Sequence, residues 1–315
     1  MAEQIKKLIT VVSPVYNNSE SLVELNQRIQ NIFIGELKDY SLEIIFVNDG
    51  SKDNSLEVLT DLQEQYKNVR IVSFSRNFGQ LYALLAGFRY AKGDAMVCIS
   101  ADLQDRPEMI IEMVKSWEQK NRVVICYRKE RYDSLSSRFF SSVFYNLMRQ
   151  IFPNMPKGGF DYLLLDRKPL DIYNSYQTKH RFFQGDILSL GFKIDFIPYA
   201  RESRKHGKSQ FTFSKRFKFF LDGTITSTHL PLRFMSILGA TTAFFGFLYS
   251  LVIVYLRIIN DLPFKGYAVI VILILMIGGL TMLMLGIIGE YIWRIYGETQ
   301  KYPIYIVEEE KNIDK

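Results

Sequence analysis

The chain has 315 residues, 48% of them hydrophobic, and its 39 Lys and Arg residues exceed its 33 Asp and Glu residues, which gives a net charge of +6. This length predicts one or two domains. The two cysteines, Cys98 and Cys126, lie in apolar runs, which excludes a disulfide framework or a cysteine-rich metal site and indicates buried free thiols. The N-terminal residues contain too few apolar side chains for a signal peptide, so we expect both termini in a reducing cytosol.

Strand-like and helix-like patterns alternate along residues 1–130. Continuous apolar runs predict strands at Leu8–Val15, Leu42–Val47, Val69–Phe74, Ala95–Ser100 and Val123–Tyr127. Helical spacing predicts helices at Leu22–Phe33, Ser55–Tyr66, Gln80–Ala91 and Pro107–Gln119. Strands that are apolar throughout and alternate with helices are typical of an α/β fold, in which helices cover both faces of a mostly parallel sheet.

Polar segments follow the first strands of this predicted sheet. They are Pro14–Asn17, Asn48–Asp53, Ser75–Gly79 and Ser100–Asp105. Ligands of such sheets bind at the carboxyl ends of the strands, so we expect these segments to share one edge of the sheet and to form the binding site.

Two of these segments carry carboxylates that allow more than one interpretation. Asp49 is able to accept hydrogen bonds from a nucleotide base or ribose, or to belong to a turn that Asp53 or Ser55 caps. If the chain stays extended after the fourth strand, Asp102 and Gln104 point the same way, and oxygen ligands of this kind suit Mg²⁺ or Mn²⁺. An acidic turn at a helix N-terminus explains them equally well.

Residues 130–200 are less regular. A helical pattern covers Ser134–Ile151, and the glycine turn Lys157–Gly159 precedes the segment Phe160–Asp166. Asp161 therefore follows a double glycine, which lets the backbone come close to a ligand. We expect Asp166 to be structural, as a partner of Arg167 or of a neighbouring backbone donor.

Two long uncharged runs lie near the C-terminus. Phe234–Leu256 and Ala268–Gly289 contain no Asp, Glu, Lys or Arg, and each exceeds the about 20 residues that a helix needs to cross a bilayer. Turn-forming residues lie between them, so we expect a hairpin that crosses the membrane twice. Phe211–Thr228 mixes aromatic and basic residues, which suits a helix lying at the membrane interface.

Basic residues precede the first apolar run. Arg201 and Arg204 are three positions apart, and Lys208 and Ser209 follow them. Guanidinium groups match the geometry of phosphate oxygens, which favours capture of a phosphate here, although a solvated basic loop is the alternative. The basic excess predicts that this flank is cytoplasmic.

Taken in order, these motifs resemble glycosyltransferase family 2, and within it the membrane enzymes that transfer a sugar from a nucleotide to a polyprenyl phosphate. The resemblance covers nearly the whole chain. The segments that carry it are Ser13–Asn17, Val47–Asp53, Ser75–Gly79, Ala101–Glu108, Arg201–Ser209 and Gly289–Tyr296.

The resemblance implies a Rossmann-like catalytic domain of the GT-A type over residues 1–212. This domain would be followed by an interfacial segment at 213–232 and by a transmembrane hairpin at 233–293, with spans at about 234–256 and 268–289. A cytoplasmic tail at 294–315 would end the chain as given. It implies a bacterial inner-membrane protein whose catalytic domain lies in the cytoplasm. The implied sugar donor is a UDP-sugar, with UDP-glucose as the best guess, and the implied acceptor is undecaprenyl phosphate. Nucleic acid is not an expected partner.

The resemblance also implies roles for individual residues. Asp161 is the candidate base near the acceptor or orients it, Asp102 and Gln104 hold Mg²⁺ or Mn²⁺, and the acceptor phosphate is bound by Arg201, Arg204, Lys208 and Ser209. The expected donor-nucleotide residues are Pro14, Tyr16, Asn17, Asp49, Ser51, Arg76, Ala101 and Asp102.

The chain departs from the family pattern at one position, and two alternative functions remain open. The family often has Asp where this chain has Ser100, which leaves weaker metal affinity open. A processive polysaccharide synthase is one alternative, although the chain lacks the Gln-x-x-Arg-Trp motif of such enzymes. A membrane-bound protein that binds sugar nucleotides without catalysis is the other. Glycines in the second apolar run allow close helix packing within the hairpin or in a homo-oligomer.

Overall fold

The computed structural model of the chain describes residues 6–128, 145–146, 148–179, 181–200, 230–260, 267–300 and 302–312. The chain forms two compact units. The first contains Met1–Lys215 together with Tyr302–Lys315, and the second contains Arg216–Lys301.

The first unit is built on an eight-stranded sheet with the order β7-β5-β6-β4-β1-β2-β3-β8. Its strands are β1 (Leu8–Val15), β2 (Ser41–Asn48), β3 (Val69–Phe74), β4 (Ala95–Cys98), β5 (Val123–Arg128), β6 (Tyr162–Asp166), β7 (Ile194–Tyr199) and β8 (Val307–Lys311). Its helices are α1 (Ser19–Ile34), α2 (Ser55–Gln65), α3 (Gln80–Tyr90), α4 (Met109–Glu118), α5 (Arg167–Ser175) and α6 (Phe183–Ser189). The predicted α/β class with a mostly parallel sheet is confirmed.

Helices bury both faces of the central strands. Val11 and Val12 are neighbours in β1 and point to opposite faces, yet both are completely buried. Val11 belongs to a core that includes Leu25 of α1, whereas Val12 lies against α3. Gly87 of α3 allows this approach, because a Cβ there would come within 2.2 Å of Val12 Cγ1. Continuous apolar runs in the sequence therefore reflect burial on both sides of the sheet.

Strand directions bring the predicted site segments to one edge, which we call the carboxyl edge. The strands β1, β2, β3 and β4 are parallel, and so are β5 and β7, whereas β6 is antiparallel to both β4 and β5. The ends of β1 to β5 and of β7 therefore meet the start of β6 at this edge. The glycine turn before Asp161 is thus placed beside the loop that contains Asp102.

The last strand is a feature that the sequence analysis, which placed a tail at 294–315, did not identify. Val307–Lys311 pairs antiparallel with β3 at the margin of the sheet. Its sequence, VEEEK, is strongly acidic, and Glu308, Glu309 and Glu310 are exposed. Charged side chains are tolerated on an edge strand because one side of it faces solvent, and they also discourage pairing with another sheet.

The second unit contains two long helices, α7 (Leu230–Asn260) and α8 (Tyr267–Thr299). Among the described residues, one helical segment, Met276–Thr299, is long and apolar enough to cross a membrane, with a mean hydropathy of 1.5. The apolar segment in α7, Phe234–Tyr249, is shorter than the about 20 residues that a crossing requires. The predicted multi-pass topology is therefore not supported by the described residues, which contain one candidate span. The interfacial segment predicted at 213–232 lies mostly outside them.

Candidate active site

The loops after β1 and β2 are joined by reciprocal hydrogen bonds. The backbone NH of Asn17 donates to Ser51 Oγ at 3.1 Å, and the backbone NH of Lys52 donates to Asn17 Oδ1 at 2.8 Å. Asn17 has a φ of 54°, an αL conformation that asparagine tolerates better than most residues. The structure thus brings together Tyr16, Asn17 and Ser51, while Pro14 is buried inside β1.

Asp49, which was expected to contact the nucleotide, holds a neighbouring loop in this structure. We call that loop, Ser75–Gly79, the Arg76 loop. Asp49 Oδ1 accepts the backbone NH of Phe78 at 2.7 Å, and Oδ2 accepts that of Gly79 at 2.9 Å and Asn77 Nδ2 at 3.0 Å. Burial raises the pKa of Asp49, and the two backbone NH groups oppose that shift. Asp49 therefore determines the backbone path of the Arg76 loop.

Gly50 brings the Arg76 loop close to the β2 loop. Its φ is +62°, and a Cβ at this position would lie 2.4 Å from the carbonyl carbon of Arg76. The backbone of Arg76 therefore passes directly over Gly50, where only glycine fits. The Arg76 side chain is exposed, and its guanidinium carbon lies 4.2 Å from the centre of the Phe78 ring, as in a cation–π contact.

The chain does not stay extended between Asp102 and Gln104. Leu103 has a φ of 57°, in the left-handed region, and the backbone NH of Gln104 donates to Asp102 Oδ1 at 3.2 Å. The segment is thus a tight turn in which the Asp102 carboxylate bonds the backbone two residues further on, so the condition under which the two side chains would point the same way is not met. Both residues remain half-buried in the same loop, while Ala101 is buried and its carbonyl accepts Ser21 Oγ at 2.6 Å.

A divalent metal fits the chemistry of this turn, although the described residues contain no group of three or more His, Cys, Asp and Glu side chains placed to hold one. Asp102 supplies a carboxylate and Gln104 an amide oxygen. Mg²⁺ is commonly held by one or two carboxylates, substrate phosphates and water, so this small donor set is compatible with Mg²⁺ when a diphosphate supplies further oxygen ligands. Ser100, half-buried in the same loop, contributes no carboxylate.

Asp161 lies beside an arginine that the sequence analysis did not identify. Arg128 Nη2, at the end of β5, is 3.3 Å from Asp161 Oδ2, and the two side chains are 21% and 50% exposed. Burial, the largest single effect, disfavours the charged guanidinium, but Asp161, Tyr199 and Asp105 together favour it more, so the pKa of this arginine is raised. Ligands of such sheets bind at the carboxyl ends of the strands, and Arg128 is the last residue of the fifth strand. The rule that predicted the other site segments therefore also identifies Arg128.

The backbone before Asp161 takes the path that its double glycine permits. Gly158 and Gly159 have φ values of 94° and 71°. Gln184 Nε2 of α6 donates to the carbonyl of Phe160 at 2.8 Å, which holds the turn against the sheet. Asp161 therefore lies at the carboxyl edge, after a glycine turn that the hydrogen bond from Gln184 holds in place.

Further polar groups support the same edge. The hydroxyl of Tyr199, at the end of β7, donates to the buried carboxylate of Asp105, and burial together with Asp105 raises the pKa of Tyr199. Asp166 is structural, because it accepts the backbone NH of Lys168 at 3.2 Å and Trp117 Nε1 at 2.9 Å. The predicted acceptor-phosphate residues lie outside the described residues; they are Arg201, Arg204, Lys208 and Ser209.

Comparison with known proteins identifies the family of the chain. Residues 10–173 match glycosyl transferase family 2. The uncharacterised glycosyltransferase YkcC of Bacillus subtilis is 36% identical over 307 residues, which cover 97% of this chain and 94% of that protein. The bactoprenol glucosyl transferase of Shigella phage SfV is 32% identical over 305 residues, covering 96% and 99%.

A solved structure shares the fold. Glucosyl-3-phosphoglycerate synthase from Mycobacterium tuberculosis, crystallised with Mn²⁺, uridine diphosphate and phosphoglyceric acid, has a TM-score of 0.50 at 15% identity, over 70% of this chain and 77% of that one. The match to the family covers nearly all of β1 to β6, which form most of the carboxyl edge, and the relatives extend it to nearly the whole chain. The chain therefore belongs to glycosyltransferase family 2 and is a glycosyltransferase with a GT-A type of fold.

Proposed function

We propose that this protein transfers a sugar from a UDP-sugar to undecaprenyl phosphate at the cytoplasmic face of a bacterial membrane, and that glucose is the favoured candidate for the sugar. The observation that carries the proposal is the placement of Asp102 and the Arg128–Asp161 pair at one edge of the sheet. The relative named a bactoprenol glucosyl transferase matches this chain over nearly its full length, which supports a polyprenyl acceptor and glucose as the sugar.

The donor nucleotide is proposed to bind along the loops after β1 to β4. Asn17 and Ser51 already form a connected rim, and the exposed Arg76 offers a positive charge beside it. The pocket around the nucleotide would be shaped by Tyr16, Pro14 and Ala101. Asp49 would contribute indirectly, because it holds the Arg76 loop. A guanidinium is suited to diphosphate oxygens because it forms two parallel hydrogen bonds.

A divalent cation held by Asp102 and Gln104 would neutralise the charge that develops on the departing diphosphate. Arg128 stands on the acceptor side, next to Asp161. Its positive charge attracts a lipid phosphate and offsets the repulsion between that phosphate and the Asp161 carboxylate. Arg201, Arg204, Lys208 and Ser209 remain predicted contributors to phosphate binding.

The reaction is proposed as a single displacement. An oxygen of the lipid phosphate forms a bond to the anomeric carbon while the bond from that carbon to the UDP oxygen breaks, and UDP leaves with the electron pair. One such displacement inverts the anomeric centre, so an α-linked donor gives a β-linked product. A phosphate monoester has a second pKa of about 6, so it is largely dianionic at neutral pH. Asp161 therefore orients the acceptor or accepts a residual proton.

The second unit supports placement at a membrane. Large apolar side chains of its helices are strongly exposed, with Phe245 at 62%, Ile274 at 63% and Met282 at 73%. Apolar surface of this extent is unfavourable in water and favourable in a lipid bilayer. A membrane-bound enzyme meets its lipid substrate at a high local concentration.

The direct test uses the full chain in lipid nanodiscs with undecaprenyl phosphate and a panel of radiolabelled UDP- and GDP-sugars. We expect label in the lipid fraction with UDP-glucose, a β-linkage by NMR, and loss of transfer in EDTA that Mg²⁺ or Mn²⁺ reverses. Asp102→Asn should abolish most of the activity. Asp61→Asn, at an exposed position of α2, is the matched control and should keep it.

Three results would refute separate parts of the proposal. Full activity in EDTA would refute the metal, retention of the α-configuration would refute the single displacement, and failure with every polyprenyl phosphate would refute the acceptor class.

A further inference from the structure

The segment that follows α8 is attached to the sheet next to the Arg76 loop. In the antiparallel pairing of β8 with β3, Val307 lies opposite Phe74, the last residue of β3. One residue further, the backbone NH of Ser75 donates to the carbonyl of Ile306 at 3.2 Å. The C-terminal segment therefore extends beyond β3 and contacts the first residue of the Arg76 loop.

Aromatic contacts connect this segment to Arg76. The ring of Tyr305 is stacked on Phe74, with centroids 4.9 Å apart and an interplanar angle of 17°. Phe74 in turn meets Phe78 edge to face at 5.7 Å, and the guanidinium of Arg76 lies over the Phe78 ring at 4.2 Å. Tyr305, Phe74, Phe78 and Arg76 thus form a continuous row, in geometries that aromatic and cation–π pairs prefer.

This row and Asp49 constrain different parts of the loop. Asp49 bonds the backbone NH groups of Phe78 and Gly79, which sets the path of the main chain. The ring contacts described for Phe78 are with Phe74 and Arg76, so the direction of the two side chains depends on the row. Tyr305 packs against Phe74, and its hydroxyl lies 3.4 Å from Arg89 Nη1 of α3.

We propose that Tyr305 is a positioning residue, which orients the Arg76 side chain through Phe74 and Phe78. Donor binding then depends on the C-terminal segment being docked on β3, although that segment is remote from the site in sequence. The catalytic consequence rests on the proposed function, in which Arg76 binds the donor. Without the Tyr305 ring, Phe74 loses its stacking partner, Phe78 is free to turn, and the Arg76 charge is no longer held at the nucleotide rim.

The test compares Tyr305→Ala with Tyr305→Phe, which keeps the stacked ring, in the full chain in nanodiscs. Tyr302→Ala is the matched control, because Tyr302 lies in the same segment and is 75% exposed. We expect Tyr305→Ala to raise the KM for UDP-glucose about three- to tenfold, as loss of an aromatic contact does. The kcat and the KM for undecaprenyl phosphate should stay unchanged, and both other variants should behave as the wild type.

Two measurements do not depend on turnover. The backbone NH of Ser75 bonds the carbonyl of Ile306, next to Tyr305, so hydrogen exchange of peptides covering residues 75–79 should become faster in Tyr305→Ala, while peptides of β1 stay protected. Calorimetric titration with UDP and Mg²⁺ should show weaker binding in the same variant. If Tyr305→Ala does not fold, Tyr305→Leu, which keeps bulk without an aromatic face, is measured in the same way.

Unchanged exchange and an unchanged KM for the donor in the alanine or leucine variant would overturn the proposal. An equal effect of Tyr302→Ala would also overturn it, since the effect would then belong to the segment rather than to the ring. If the wild type transfers sugar to no polyprenyl phosphate, the proposed function fails, but the exchange and UDP-binding experiments still decide whether Tyr305 positions the loop.

Discussion

Arg128 and Asp161 form an ion pair across two antiparallel strands, with Arg128 Nη2 at 3.3 Å from Asp161 Oδ2. Cys126 of β5 lies opposite Tyr162 of β6, so the end of one strand and the start of the other meet at the carboxyl edge. The carboxylate of the pair is half-exposed, so the pair adds little stability, about 0–1 kcal/mol. Its significance is chemical, because it places a positive charge beside the carboxylate that is proposed to orient the acceptor.

Replacing Arg128 should weaken acceptor binding while leaving the fold intact. We expect Arg128→Gln to raise the KM for undecaprenyl phosphate by about tenfold or more, because hydrogen bonds to charged groups contribute about 1.5–3 kcal/mol. Arg128→Lys keeps the charge but loses the planar fork, so its KM should fall between those of the wild type and Arg128→Gln. Steady-state kinetics at saturating donor measure the effect, and a KM equal to that of the wild type would contradict the assignment.

Gly50→Ala should destabilise the protein and reduce donor binding. The new Cβ would meet the Arg76 backbone at 2.4 Å, and the φ of +62° is unfavourable for alanine. We expect a loss of about 1–3 kcal/mol, measured as a lower Tm. Gly191→Ala is the control, because Gly191 has a φ of +73° but a Cβ added there would meet nothing within 4 Å. An equal loss in both variants would show that the close approach has no effect.

Ser100→Asp should strengthen metal binding. The change adds a second carboxylate to the loop that contains Asp102, and Mg²⁺ affinity rises with carboxylate ligands. We expect the Mg²⁺ concentration that gives half-maximal activity to fall, with Ser100→Ala unchanged as the control. A titration in which both variants match the wild type would argue against a metal in this loop.

Asp186 should make stability depend on pH. Asp186 Oδ2 is buried without a hydrogen-bond partner among the residues that the structure describes, and burial raises the pKa of Asp186 to about 6, with Arg181 opposing. Between pH values of about 4 and 6 the folded state holds this proton more tightly than the unfolded chain, so stability falls as the pH rises through that window.

The measurement is the Tm from pH 4.5 to 7.5. Asp186→Asn cannot ionise and should flatten this part of the profile, raising the Tm above pH 6 relative to the wild type. The effect is at most about 3 kcal/mol. Asp171→Asn, at an exposed position of α5, is the control, and identical profiles for wild type and Asp186→Asn would contradict the prediction.

The sequence by itself determined the strands and helices whose apolar residues follow a regular spacing along the chain. The apolar run Leu8–Val15 is β1, and the helical spacing of Leu22, Leu25 and Ile29 gives the buried face of α1. Strand ends followed by polar residues predicted which loops form the carboxyl edge, and the ordered motifs predicted the family. These features are readable because burial on one or both faces imposes a periodicity on neighbouring residues.

Tertiary structure alone decided the contacts within those loops. Asp49 bonds the Arg76 loop, Leu103 turns the Asp102 loop back on itself, and Arg128 meets Asp161. The acidic segment Val307–Lys311 has no strand pattern of its own and becomes a strand because β3 offers it an open edge. Most of these contacts join backbones that are distant in sequence, so no local pattern specifies them, and only the assembled sheet brings the partners within bonding distance.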